Sequence, residues 1–343
     1  MNINISAEDF KGFWIALIIS GVLSFPIMKL LAAMKSKQTV SQFAPEGHQV
    51  KQGTPTMGGL IILAGVFGAI PFIKSELSGP FIGGRVSNLP IVILIVLFAL
   101  IGFVDDYVVP KLMPGKRGLG WKQKILMQVV AAIIPLLMIG SSPMVLGIGT
   151  FSILFFANAY NFSDGLDGLA GTLLIGLLVG MIGITGTGHM MGLGGDFFGF
   201  SPTILLIFLG AVIPFLFWNA PKAKVFMGDV GSLPIGAMLG GFWFLQRSGF
   251  QKDTMMSLSF PTMPASVFAI AIAVWSLMMV AELVPVPLQI ASVKLRKKKI
   301  FPYTPIHHAF EKAGWPETRV VFVFSLLQLI FSMAAITIVA FGK

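Results

Sequence analysis

The sequence predicts an all-α polytopic membrane protein of about ten transmembrane helices. Two observations carry this. Of 343 residues, 55% are hydrophobic and only 11% charged, against about 25% charged in a soluble domain. Apolar runs near the ~20 residues that cross a bilayer recur along the whole chain. They are rich in Leu, Ile, Gly and Phe and lack the alternation of barrel strands. A single integral-membrane domain over 1–343 is expected.

The runs fall at about 12–34, 57–73, 88–104, 125–140, 142–157, 168–187, 201–218, 233–246, 265–285 and 320–341. The first lacks a basic leader and a small-residue cleavage site, so it reads as a span rather than a removed signal peptide. An even number of spans puts both termini on one side. The ninth run holds Glu282, then Pro285 and Pro287, before a basic tail. Proline removes a backbone hydrogen bond, so this helix is expected to kink and splay, opening a groove to lipid. Absence of cysteine removes disulfides, thiolate metal sites and a cysteine nucleophile.

Charge orients the spans. Loops after odd-numbered spans hold 17 Lys and Arg, those on the other face 6. The richer face is therefore cytoplasmic and both termini are extracytoplasmic. The net charge of +10 belongs to this topology and to anionic lipid or substrate, with no nucleic acid called for.

The polar motifs collect on that same face. His48 to Gly59 follows span one, with Lys51 inside it. Asp105 and Asp106 follow span three. Asn158, Asn161, Asp164 and Asp167 follow span five. Asn219 and Asp229 follow span seven, and His307 and His308 follow span nine. Five of the eight aspartates lie at these junctions. A charge left in lipid costs about 2.5–3.5 kcal/mol or more, so such residues need partners or a wet cavity. Each has a plain alternative: Asp229 as a helix cap, Asp105–Asp106 as an interfacial pair, Lys122 and Lys124 as orientation signals, His307–His308 as loop residues. Asp164 and Asp167, three apart, would share one face of a helix. Adjacent acids do not, so only one of Asp105 and Asp106 is expected to face a metal. His189 is read as solvated and without a role.

Carboxylates without thiols suit Mg²⁺ or Mn²⁺, and magnesium takes one or two carboxylates plus substrate phosphate oxygens. Lysines and histidines around such an ion suit a nucleotide diphosphate. Phosphoryl transfer asks the protein mainly for positioning and charge neutralisation. Transfer from a soluble donor to a lipid acceptor fits a cluster at the membrane border. A transporter is the alternative from another class, since a kinked helix with Glu282 could line a solute path. Against it, the acids gather at one face and not at the midplane.

These motifs resemble one family: the polyprenyl-phosphate N-acetylhexosamine-1-phosphate transferases. The matching segments are 53–59 (GTPTMGG), 102–107 (GFVDDY), 118–124 (GLGWKQK), 158–170 (NAYNFSDGLDGLA), 219–232 (NAPKAKVFMGDVGS) and 305–311 (PIHHAFE). They cover nearly the whole chain, and the first and last favour the muramoyl branch. The chain departs from the family pattern at Ala309, Val230 and Val109, and in carrying Pro285 and Pro287. The resemblance implies a Mg²⁺-dependent enzyme of the bacterial inner membrane. It would use UDP-N-acetylmuramoyl-pentapeptide and undecaprenyl phosphate within the lipid bilayer, giving lipid I and UMP for peptidoglycan. A sister activity on UDP-N-acetylglucosamine is the alternative, and a homodimer is left open. The resemblance also implies roles. Asp229 would ligate the metal, and Asp105 and Asp106 would hold metal or acceptor phosphate. Asn158, Asn161, Asp164, Asp167 and Asn219 would line the nucleotide pocket, with Lys51 nearby. Lys124 would attract the lipid phosphate, and His307 and His308 would contact the diphosphate or sugar.

Overall fold

The computed structural model describes residues 7–34, 53–72, 89–113, 115–116, 118–190, 202–245 and 264–342. Lys51, a predicted site residue, lies outside them, as do His48 and Arg117. Among the described residues all regular structure is helical: α1 (Ala7–Met34), α2 (Gly59–Ala69), α3 (Leu89–Phe103), α4 (Val109–Leu112), α5 (Trp121–Met138), α6 (Pro143–Ser163), α7 (Leu169–Met190), α8 (Thr203–Asn219), α9 (Asp229–Leu245), α10 (Ala265–Trp275), α11 (Leu277–Leu283), α12 (Pro285–Arg296), α13 (Ile306–Lys312) and α14 (Glu317–Phe341). A 3₁₀ turn, Ile70–Phe72, extends α2, and a π-helical turn, Val104–Val108, joins α3 to α4.

Helix occupies every apolar run expected from the sequence. Among the described residues seven stretches are long and apolar enough to cross a membrane: Phe10–Met34, Leu89–Leu112, Trp121–Met138, Pro143–Ser163, Leu169–Thr187, Leu277–Arg296 and Glu317–Phe341. Four apolar helices are shorter, at Gly59–Phe72, Thr203–Asn219, Asp229–Leu245 and Ser266–Trp275.

Helix α9 is the axis. Nearly every residue from Val230 to Leu245 is buried, against α3 on one side and α6 on another. Water does not drive helices together in lipid, so close backbone approach through small residues does. A Cβ on Gly236 would strike the Phe156–Ala157 backbone, one on Gly240 the Ser152 carbonyl, and one on Gly231 the backbone of Gly59. Serines add hydrogen bonds between helices. Ser20 Oγ donates to Ala211 O at 2.8 Å, and Ser152 Oγ to Gly240 O at 2.9 Å. The outer helices present Trp14, Phe25, Leu126, Phe151 and Phe322 outward, as a lipid-facing surface requires.

The ninth run is interrupted, though not only where proline predicts. It breaks at Ser276 and again at Val284, so that Pro285 begins α12. Pro at a first helical position loses nothing, because that N–H has no helical partner in any case. The membrane-length stretch consequently runs over 277–296, shifted toward the basic tail from the expected 265–285. Beyond α12 the chain turns back. Lys297 adopts a left-handed conformation at φ 56°. Gln289 Oε1 accepts from the Ile300 and Phe301 amides at 2.9 and 3.0 Å, and Ser292 Oγ donates to Lys298 O at 2.8 Å. This reversal returns residues 306–312 to the bundle.

Candidate active site

The acidic centre is built where α3, α5, α6 and α9 meet. The last turn of α3 opens into the π-helical turn that carries Asp105 and Asp106. A π turn has more residues per turn than an α turn, so the angular step between neighbours shrinks. Both carboxylates therefore face the site, correcting the expectation that only one would. Asp105 Oδ1 accepts from the Leu119 amide at 2.7 Å, and Oδ2 from Lys124 Nζ at 3.3 Å. Asp106 Oδ2 accepts from the Val230 amide at 3.0 Å. Asp229, first residue of α9, binds Lys124 through Oδ2 and accepts from Asn161 Nδ2 through Oδ1 at 2.7 Å. Asn161 also donates to Ser232 Oγ at 2.8 Å.

Asp105, Asp106 and Asp229 offer ligand atoms within 4.8 Å of one another. Three carboxylates so close repel, and the Lys124 ammonium offsets only one of them. A hard divalent cation matches the remaining charge and the all-oxygen donor set, so the residues fit Mg²⁺. Lys124, expected to attract a lipid phosphate, is already paired with two of these acids.

Asp164 and Asp167 do not share a helix face. Helix α6 ends at Ser163, and both lie in the turn before α7. Two turn glycines there, Gly165 and Gly168, favour leaving the helix over continuing it. Each aspartate instead holds the loop between α8 and α9. Asp164 Oδ2 accepts from the Gly228 amide and Asp167 Oδ2 from the Ala223 amide, both at 2.9 Å. Asn219 completes the clamp, accepting from the Gly168 amide at 3.0 Å and donating to Val225 O at 2.8 Å. Burial pushes the Asp164 carboxyl up to about 8, with the Gly228 amide pulling the other way. The same loop is strapped to the segment before α2. Gly58 and Gly59 amides donate to Phe226 O and Met227 O at 2.7 and 2.9 Å, and the Phe226 amide to Pro55 O at 2.9 Å. Gly228 ends the loop at φ 71°, where an L side chain costs about 1–2 kcal/mol.

Asn158 lies apart. Its amide donates to Gln128 Oε1 at 2.8 Å and Leu154 O at 2.7 Å, so it joins α5 to α6 instead of entering the acidic cluster. His307 and His308 approach from α13 with ring centroids 4.2 Å apart. Nδ1 of His307 lies 2.8 Å from Glu282 Oε2, and Nδ1 of His308 lies 2.6 Å from Glu311 Oε2. A Cβ on Gly165 would meet Nε2 of both rings. The histidines thus face the turn that begins with Asp164. Sequence reasoning missed four contributors: Gln128, Ser232, Glu317, whose Oε1 accepts from the Asp167 amide at 2.6 Å, and Glu282 as a partner of His307. Only Glu282 left a signal, as an acid inside an apolar run.

The comparisons with known proteins converge on this architecture. A profile described as "Glycosyl transferase family 4" matches residues 88–246. The phospho-N-acetylmuramoyl-pentapeptide-transferase signature 1 matches residues 51–63. Membrane-length helices, an acidic centre and this profile together make the chain a multi-pass membrane protein similar to the glycosyl transferase 4 class. Relatives named phospho-N-acetylmuramoyl-pentapeptide-transferase narrow it. That of Staphylococcus haemolyticus is 33% identical over 94% of this chain and 97% of its own length. Those of Fusobacterium nucleatum and Nautilia profundicola are 32% and 31% identical, over 97% and 95% of this chain and 93% and 91% of theirs. The chain belongs to the phospho-N-acetylmuramoyl-pentapeptide-transferase family.

Proposed function

We propose that this protein transfers phospho-N-acetylmuramoyl-pentapeptide from its UDP carrier to undecaprenyl phosphate, releasing UMP and forming lipid I in bacterial peptidoglycan synthesis. The observation that carries the reading is the convergence of Asp105, Asp106 and Asp229 around Lys124 at one end of the bundle. Asp229 is the first metal ligand, joined by Asp105 and Asp106. Magnesium held there would neutralise charge on the diphosphate. Asn161 orients Asp229, while Asp164, Asp167 and Asn219 shape the loop that floors the nucleotide pocket, with Lys51 at its edge. Asn158 fixes the α5–α6 wall. His307 and His308 reach the diphosphate or sugar. The chain works as one membrane domain of ten crossings, both termini outside and the site on the cytoplasmic face of the inner membrane.

A phosphate monoester has its second pKa near ~6 and is largely dianionic at neutral pH. Undecaprenyl phosphate can therefore attack the β-phosphorus without a strong base. Lys124 draws the acceptor phosphate toward the acidic centre, and the carboxylates position instead of attacking. The reaction is then a single displacement through a ternary complex.

The test supplies purified protein with UDP-N-acetylmuramoyl-pentapeptide and Mg²⁺, with and without undecaprenyl phosphate. Lipid I should form only with both substrates, initial rates should give intersecting lines, and donor alone should release no stoichiometric burst of UMP. Turnover with UDP-N-acetylglucosamine instead would reassign the substrate. A phospho-sugar adduct on Asp105 or Asp106, formed without lipid at the turnover rate, would replace single displacement by a carboxylate nucleophile.

A further inference from the structure

Glu282 and His307 are both fully buried, on α11 and α13, with their side chains 2.8 Å apart. Each keeps one polar atom without a partner, Glu282 Oε1 and His307 Nε2. Burying an ionisable pair in a bilayer protein is expensive, and an apolar pair of similar volume is often as stable or more so. Packing alone therefore gives no reason for this pair. The orphaned nitrogen also has a direction, since a Cβ on Gly165 would stand 2.5 Å from His307 Nε2. It points into the turn whose first residue, Asp164, holds the Gly228 amide next to Asp229.

We propose that Glu282 is the positioning residue for His307: its carboxylate accepts the Nδ1–H hydrogen bond and thereby presents Nε2, as a lone-pair acceptor, to the sugar of the donor substrate. An ionised carboxylate can only accept, so its partner nitrogen carries a proton, and in the neutral ring the other nitrogen is then bare. The same division of roles orients histidines in catalytic triads and metal sites. A bare Nε2 meets a donor group, which on a phospho-N-acetylhexosamine is a hydroxyl or the acetamido N–H rather than a phosphate oxygen. The break at Ser276 and the return loop after Lys297 are the features that bring α11 and α13 together. This inference rests on the transferase reading above.

The test combines spectroscopy and kinetics on the full-length purified protein. The chain has four histidines, so ¹⁵N-histidine labelling with His307→Asn as the assignment control isolates one ring. In the wild type His307 should show a protonated Nδ1 and a bare Nε2, and adding the UDP-muramoyl donor should shift Nε2. Glu282→Gln keeps an acceptor oxygen and should retain most activity and the same tautomer. Glu282→Leu should lose about ten- to a hundredfold in kcat/KM for the donor, with KM for undecaprenyl phosphate unchanged and the ring exchanging between tautomers. A protonated Nε2 in the wild type would overturn the proposal, as would wild-type kinetics in Glu282→Leu or equal losses in the Gln and Leu variants. Should Glu282→Leu fail to fold, the wild-type spectrum and Glu282→Gln decide. Absence of any transfer by the wild type would instead remove the transferase reading and leave the tautomer result standing.

Discussion

Asp229 touches more of the site than any other single side chain described. It binds Lys124, accepts from Asn161, and lies within ligand distance of Asp105 and Asp106. Asp229→Asn keeps the shape but removes a charged oxygen. It is expected to cut turnover by about a hundredfold or more, near 2.7 kcal/mol of transition-state stabilisation. Activity measured across a magnesium titration checks this, and near-normal turnover at saturating Mg²⁺ would reduce Asp229 to a helix cap. At this scale much was legible. The identities of the acids, the histidines and Lys124 stand in the sequence, because charge at a membrane border demands a reason. Their pairings do not. Nothing local says that Lys124 serves the acids, that Asp167 holds the Ala223 amide, or that Glu282 lies beside His307. Those depend on contacts between helices far apart in the chain.

The π-helical turn is the element that allows neighbouring acids to act together. Sequence periodicity assumes an α-helical step and so sends one of them away. Such turns carry one residue more than an α-helix would. Deleting Val108 should restore the α register and swing Asp106 off the Val230 amide. The expected result is loss of about a hundredfold or more in activity, with the protein still inserted and monodisperse by size-exclusion chromatography. Full activity after the deletion would mean the turn is incidental. The loop 220–228 makes a second element-scale case. A Cβ on Gly228 would stand 2.6 Å from both Asp106 Oδ2 and Thr56 Oγ1, at a backbone angle already unfavourable for alanine. Gly228→Ala should lower stability by at least about 1–2 kcal/mol, read as a fall in unfolding midpoint, and should weaken Mg²⁺ dependence together with it. Helix boundaries were legible to within a few residues at most ends, but not at α6, which runs on to Ser163 and takes in Asn158 and Asn161 that were expected to follow it, nor where the ninth run breaks at Ser276, a position with no glycine or proline to mark it.

For the whole molecule, the all-helical class and the crowding of polar motifs at one end follow from hydropathy and loop charge. Orientation in the membrane is testable directly. Lys116→Cys, in a chain with no cysteine of its own, should resist an impermeant maleimide applied to intact cells and react after permeabilisation. Labelling from outside would invert the topology and place the site on the wrong side for a cytoplasmic nucleotide.

The pairing of Lys124 with Asp105 and Asp229 also bears on how the protein is made. Chains lengthen at about 5–20 residues per second. Asp105 and Asp106 therefore enter the bilayer border roughly 6–25 seconds before Asp229 and the Val230 amide exist to meet them. Lys124, the cation the finished structure pairs with Asp105, follows within about a few seconds, so that this pair can form while the rest of the bundle is still on the ribosome. A lysine that later shares a metal site would then first protect an unfinished membrane protein from its own buried charge. Lys124→Ala is accordingly expected to lower the amount of full-length protein in membranes, by immunoblot against Asp229→Asn, while Lys124→Arg accumulates normally.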